Sequence, residues 1–224
     1  MQGNGNVIII GAGPLGIDVI ETIDILNQSA SEPNYRCIGF VDDDHSKWNS
    51  TIKGRRILGP IQMVSEFSSF SSFIFCIGNP NSFYKREEIC SRLNLPPEKF
   101  ISIIHPSASV SHSAQIGQGA VILQHVYIGS DAVIGNHVVI SPNTTIHHGV
   151  TIADHSMLAS GVHVAGEAKI GKCAYLGMGS TIRGGIRIGD YACTGLGSAV
   201  IRDVPDNQVY VGNPATFLKN TRSQ

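Results

Sequence analysis

An aliphatic residue returns at every sixth position from Val110 to Val200: Val110, Ile116, Ile122, Ile128, Ile134, Ile140, Ile146, Ile152, Leu158, Val164, Ile170, Leu176, Ile182, Ile188 and Val200. Thr194 is the one polar member of the series. Two places before each, the residue is small or β-branched almost throughout, as at Ala114, Ala120, Val126, Ala132 and Val138. A period of six sustained this long matches neither the helical repeat of about 3.6 nor strand alternation. It predicts a solenoid in which three hexapeptides make one coil of a three-sided prism. Successive coils then stack at the strand spacing of about 4.8 Å, and residues eighteen apart stand directly above one another. The unbroken frame gives about five coils of parallel β-helix.

The first hundred residues follow a different rule. A short β-branched strand, Val7 to Ile10, runs into Gly11-Ala12-Gly13-Pro14-Leu15-Gly16, and Ile17, Val19, Ile20, Ile23 and Leu26 then repeat at helical spacing. Glycines between a strand and a helix let the backbone approach a diphosphate at the helix N-terminus, where free N–H groups and the helix dipole favour anions. A second strand, Arg36 to Val41, ends in Asp42-Asp43-Asp44, at the distance where a carboxylate reads a ribose hydroxyl. A third, Ser72 to Ile77, ends in Gly78-Asn79. The segment is too short for the two mononucleotide halves of a full dinucleotide domain, and one half-site fits a nucleoside diphosphate. The expected architecture is an α/β Rossmann-like domain over 1–104, followed by an all-β parallel β-helix with a closing segment over 105–224.

Composition narrows the partners. With a formal net charge of -1 and 7% aromatic residues, the chain offers neither a basic face nor a stacking platform for nucleic acid. No stretch approaches the roughly 18 apolar residues that spanning a bilayer takes, so the expectation is a cytoplasmic protein without membrane contact. The five cysteines are odd in number, widely spaced and without a CxxC pair, which suits reduced packing thiols. His137, His155 and Cys173 form one eighteen-residue column, read as a surface ladder rather than a metal site. No metal is expected.

VIIIGAGPLG, FVDDD, CIGNP, IHPSASV, the hexapeptides and a closing VYVGNPA together resemble the bacterial sugar acetyltransferases of the PglD and NeuD type, over nearly the whole chain. The resemblance implies a left-handed β-helix, acetyl-CoA as cosubstrate, a nucleotide-linked amino sugar as acceptor, and a homotrimer with active sites between subunits. It implies acetylation of a 4-amino-4,6-dideoxy sugar, a UDP-sugar favoured, for surface glycan or glycoprotein synthesis.

By the same likeness Gly11, Gly13, Pro14 and Gly16 hold the diphosphate, Asp42 and Asp43 the nucleoside, and Gly78 and Asn79 complete the sugar site, with Lys85 or Arg86 assisting. His148, in the stretch Ile146-His147-His148-Gly149, matches the catalytic base. The acidic residue that ordinarily follows the base is replaced by Gly149, and stacking offers Asp131, eighteen residues before Gly149, in its place. Met157 falls where a second histidine is common near the thioester. Ala165 and Gly166 approach the thioester carbonyl, Gly177, Gly195 and Leu196 line the pantetheine arm, and Gly212 and Pro214 close the adenine end, with Lys219 or Arg222 as phosphate partners. Three other readings stand beside this one: a sialic acid O-acetyltransferase, a silent sugar-nucleotide scaffold, and a γ-type carbonic anhydrase. The last needs two histidines five residues apart within the coils, and no such pair exists.

Overall fold

Residues 5–221 are described by the computed structural model of the chain. The β-branched run at the start forms β1 (Gly5–Ile10), whose last four residues are buried on both faces, the mark of a central parallel strand. Helix α1 (Pro14–Gln28) and β2 (Tyr35–Val41) follow, then a hairpin of β3 (Thr51–Ile52) and β4 (Arg55–Gly59), the short helix α2 (Val64–Phe67), β5 (Ser71–Phe75) and α3 (Arg86–Ser91). The sheet order is β3-β4-β2-β1-β5, parallel except for the β3–β4 hairpin. Strand β4 carries three Arg or Gly among five residues and so escapes a reading based on apolar runs.

The β-helix has three faces, each a stack of two-residue rungs. The first runs from Ser109–Val110 to Ala199–Val200, the second from Gln115–Ile116 to Arg187–Ile188, and the third from Ile103–Ile104 through Val121–Ile122 and Met157–Leu158 to Cys193–Thr194. Below the last coil, each rung pairs in parallel with the rung eighteen residues on, as Ile128 with Ile146 and Ile134 with Ile152. The hexad residues from Ile122 to Val200 fill the prism and are almost wholly buried. Thr194, the polar member, donates its Oγ1 proton to Ser180 Oγ at 3.1 Å, and the same oxygen accepts from Gly177 N. Ile103–Ile104 pairs with Val121–Ile122, so the last two residues before position 105 already form the first rung. A hairpin of Gln208–Val211 and Thr216–Asn220 closes the far end.

The N-terminal domain lies on the third face. Val19, Ile20 and Ile23 of α1 share one buried cluster with Val121, Val139 and Met157. The junction is fastened by Arg86 at the start of α3. It is fully buried, with Nε donating to the His155 carbonyl at 3.0 Å, Nη2 to the His137 carbonyl at 2.7 Å, and Nη1 to the Ile77 carbonyl. Those carbonyls come from two coils and from the segment just after β5. Burial pulls the guanidinium down to about 10, so it stays cationic at neutral pH. The histidine column is therefore no surface ladder: His137 and His155 stack at 4.9 Å beneath the N-terminal domain, and Cys173 is buried.

This stacked pair makes stability depend on pH. Burial first, and then the neighbouring imidazole and Arg86, press His137 down to about 4, against a smaller opposing pull from Asp154. Burial and Arg86 likewise press His155 to about 4, with Asp154 and Glu87 opposing and Lys172 adding to the depression. Both rings are neutral in the fold, while the unfolded chain protonates them below their ordinary value of about 6.5. Stability is then complete above about pH 6.5, declines as pH falls toward 4, and loses nothing further from this pair below that. Urea unfolding at about pH 7.5 and pH 5 should differ by a few kcal/mol; equal midpoints would contradict it.

Candidate active site

His148 stands on the edge between the first and second faces, in the turn after Thr145–Ile146 and before Thr151–Ile152. Each such turn needs one residue in the left-handed region, and here it is Gly149 at φ 63°. The backbone is pinned: Gly149 N donates to the Ser130 carbonyl, and Glu167 N to the His148 carbonyl, both at 2.9 Å. The imidazole is exposed and leans along the edge onto the following coil. A Cβ built on Gly166 would lie 2.6 Å from its Cε1 and Nε2. Ala165 sits beside Gly166, and among the described residues the Gly166 N–H has no acceptor. Asp131 occupies the same edge one coil earlier and is exposed, its N–H donating to Ser113 Oγ at 2.9 Å.

The contact between Gly166 and the ring carries a prediction. Gly166 has no left-handed backbone to preserve, so Gly166→Ala should fold normally, but its methyl group must displace the His148 ring. In the role of base that the sequence suggests for His148, a displacement of about 1 Å costs on the order of 100-fold. A melting temperature unchanged within error, with kcat reduced by about that factor, is the expected pair of results.

At the other end of the chain, the glycine loop is built for close approach. Gly11 has φ 105°, and a Cβ on Gly16 would stand 2.3 Å from the Gly11 carbonyl oxygen. Gly13 caps α1, Pro14 opens it, and nothing lies within 4 Å of a Cβ on Gly13. Asp42 ties this loop to the end of β2. Its Oδ2 accepts from Ala12 N at 2.7 Å and from Lys47 Nζ at 3.1 Å, and its Oδ1 from Asp44 N. Asp43 Oδ1 accepts from Ile61 N at 2.9 Å. Both carboxylates border a cavity of about 550 Å³ that Ile77, Gln62 and Arg92 also line.

A second cavity, about 300 Å³, lies where the loop meets the third face. Pro14, Leu15, Asp18, Gly78 and Asn79 line it from one domain, and Val139, Ser141, Met157, Ala159 and Tyr175 from the other. Met157 thus joins the glycine-loop group, and a Cβ on Gly78 would strike its sulfur at 2.8 Å. Ser141 and Ala159 begin a column of small residues that continues at eighteen-residue spacing through Gly177 and Gly195, along the edge between the third and first faces. Met178 and Leu196 flank this column, 56% and 76% exposed. A narrow strip without large side chains, walled by exposed apolar ones, leaves room for a slender ligand, as expected of the pantetheine line. Gly212 and Pro214 turn the closing hairpin, where Gly212 N donates to Ser198 Oγ.

The expected site residues therefore form two groups on one chain. The loop, both acidic residues, Gly78, Asn79, Met157 and the glycine column gather on or beside the third face. His148, Ala165 and Gly166 lie on the opposite edge. Arg86 does not assist a phosphate, because all its polar atoms serve buried carbonyls; Lys85 is exposed beside Tyr84. Lys219 lies in the closing hairpin, and Arg222 is outside the described residues. Asp18 and Tyr175 border the cavity without a motif to announce them. The cysteines are unsuited to nucleophilic work, since burial pushes Cys37, Cys90 and Cys193 up to about 11 and Cys76 higher. Among the described residues no cluster of His, Cys, Asp or Glu is arranged to hold a metal, and no helix is long and apolar enough to cross a membrane.

Comparison with known proteins fits this two-part layout. Residues 6–93 match the PglD N-terminal domain family, and residues 131–166 the bacterial transferase hexapeptide family (six repeats). The UDP-N-acetylbacillosamine N-acetyltransferase of Bacillus subtilis (strain 168) is 34% identical over 122 residues, 53% of this chain; the match spans about half of that relative, 51% of its length. The acetyltransferase domain of PglB from Neisseria gonorrhoeae FA1090, solved in complex with acetyl coenzyme A, superposes with a TM-score of 0.84 at 25% identity, covering 96% of this chain and 100% of that one. PerB from Caulobacter crescentus, solved with CoA and GDP-perosamine, gives 0.81 at 25% identity, with 96% and 98% coverage.

Proposed function

We propose that this chain, which joins a PglD N-terminal domain to bacterial transferase hexapeptide repeats, is an acetyl-CoA-dependent N-acetyltransferase acting on a nucleotide-linked 4-amino-4,6-dideoxy sugar, a UDP-sugar favoured, for surface glycan or glycoprotein synthesis. The observation that carries this reading is the exposed His148 held over Gly166, on a scaffold whose small-residue column leads out of the glycine-loop cavity. The whole-length likeness to sugar acetyltransferases supports it.

In this reading the glycine loop and the N-terminus of α1 hold the diphosphate, and the cavity beside Asp42 and Asp43 takes the nucleoside. Acetyl-CoA supplies the acetyl group as a thioester. His148 takes the proton from the attacking sugar amine as general base, with Asp131 as a candidate partner. The Gly166 N–H donates a hydrogen bond to the carbonyl oxygen as negative charge develops there. The C–S bond then breaks and CoA leaves as the thiol, taking up the proton held by His148, so that no acyl-enzyme is required.

The two halves of this site face apart on one chain, because the N-terminal domain covers the third face and His148 lies on the edge opposite. A sugar held by one copy therefore meets the His148 of another, which supports a homotrimer with sites between subunits. Light scattering should give a mass of about three chains.

The test is thiol release from acetyl-CoA with UDP-, GDP- and dTDP-linked 4-amino sugars and free sialic acid as acceptors. Turnover with an amino-sugar nucleotide is expected. Release only with sialic acid would transfer the proposal to O-acetylation, and CoA binding without release from any acceptor would leave a scaffold.

A further inference from the structure

The base at His148 needs a partner that fixes its ring, and the residue after it, Gly149, has no side chain to offer. Asp131, Gly149, Glu167 and Gly185 stand in one column on this edge, each in the left-handed region, with φ of 57°, 63°, 63° and 71°. Glycine accepts that conformation freely, whereas a residue with a Cβ pays for it. Aspartate is among the residues that tolerate it best, and glutamate is not. Other turns of the prism place Cys173 and Tyr191 in the same region, so the φ of Glu167 belongs to the coil, and the place of its side chain beside His148 carries the argument.

Direction separates the two acids. The His148 ring extends toward the coil that follows it, with Cε1 and Nε2 over Gly166. Glu167 is the next residue on that coil, and its N–H donates to the His148 carbonyl at 2.9 Å. Its side chain runs back the other way: a Cβ built on Gly149 would lie 3.4 Å from Glu167 Cγ. The glutamate stem thus borders the space that a side chain at position 149 would fill. Asp131 lies on the coil behind the ring.

We infer that Glu167 is the positioning residue for His148, its carboxylate supplying from the following coil what Gly149 lacks. The inference rests on the proposed acetyl transfer. A carboxylate accepting from one ring nitrogen fixes the tautomer and leaves the other nitrogen free to take the amine proton. Both side chains are exposed in the single chain, and Glu167 directly follows Gly166, over which the ring lies.

The experiment compares Glu167→Gln, Glu167→Asp and Asp131→Asn with wild type in the intact assembly. Kinetics and the nitrogen-15 signals of the His148 ring are both read, the ring assigned by its loss in a His148 variant. Glu167→Gln should lower kcat about tenfold, the scale at which losing a hydrogen-bonding orienter weakens a site, with KM for acetyl-CoA unchanged and the melting temperature kept. The ring signals should change from one dominant tautomer to a mixture, and Glu167→Asp should restore part of both. A Glu167→Gln protein with wild-type kcat and unaltered ring signals would overturn the inference, as would the same changes appearing in Asp131→Asn instead. The ring signals need no acceptor, so absence of turnover in wild type would count against the acetyl-transfer reading while the tautomer still decides the role of Glu167.

Discussion

His148→Ala is expected to lower kcat for acetyl transfer by about 10²- to 10⁴-fold, the range of a general base, while leaving binding of CoA and nucleotide sugar in place. The separation of effects follows from position. The imidazole is exposed on an edge turn, and its backbone bonds belong to Gly149 and Glu167 and survive truncation. The glycine loop and the small-residue column lie elsewhere on the chain. Calorimetry with CoA should therefore give wild-type affinity in a protein whose thiol release has collapsed. His147→Ala serves as the control: this neighbour stacks edge-on against Tyr127 at 6.3 Å and points away from the Gly166 edge, so its loss should leave kcat within a few-fold. A collapse in His147→Ala with His148→Ala unaffected would mean that the other imidazole is the base.

The β-helix was legible because its determinant is local and repeated. One buried aliphatic residue per hexad sets the register, and the stacking rule that follows from it finds Ile128 above Val110 and Glu167 beyond Gly149 by counting. The same rule offers both Asp131 and Glu167 in the column of Gly149, since counting gives the column and not the direction in which a ring leans. Strand β4 was hidden by Arg55, Arg56 and Gly59, which break the apolar run although the strand pairs on both sides, with β2 and with the short β3. Met157, expected near the thioester, also lines the glycine-loop cavity, a neighbourhood that only the fold shows because the N-terminal domain folds back over the third face. Arg86 was misread for a related reason. The family likeness offered it as an assisting residue at the diphosphate, and only the docking of two domains reveals three backbone carbonyls that converge on it.

Arg86→Met is expected to cost about 3–5 kcal/mol of stability, more than any other single side-chain replacement considered, because three buried acceptors lose their donor at once. Methionine replaces much of the volume, so the loss measures hydrogen bonds more than a cavity. A chain of this length loses roughly 2–4 °C per kcal/mol, which puts the fall in melting temperature near 10 °C. The carbonyls concerned belong to Ile77, His137 and His155, so the damage concentrates at the seam between the domains. Ile77 leads directly into Gly78 and Asn79, which line the glycine-loop cavity. Loosening it should raise KM for the nucleotide sugar before it alters kcat, since His148 sits on the far edge of the prism. Arg86→Lys keeps the charge but presents no planar fork to span three acceptors, and it should fall between the two. Melting within about a degree of wild type in both variants would mean that the seam is held by the apolar contacts of α1 against Val121, Val139 and Met157, with Arg86 only filling the space between them.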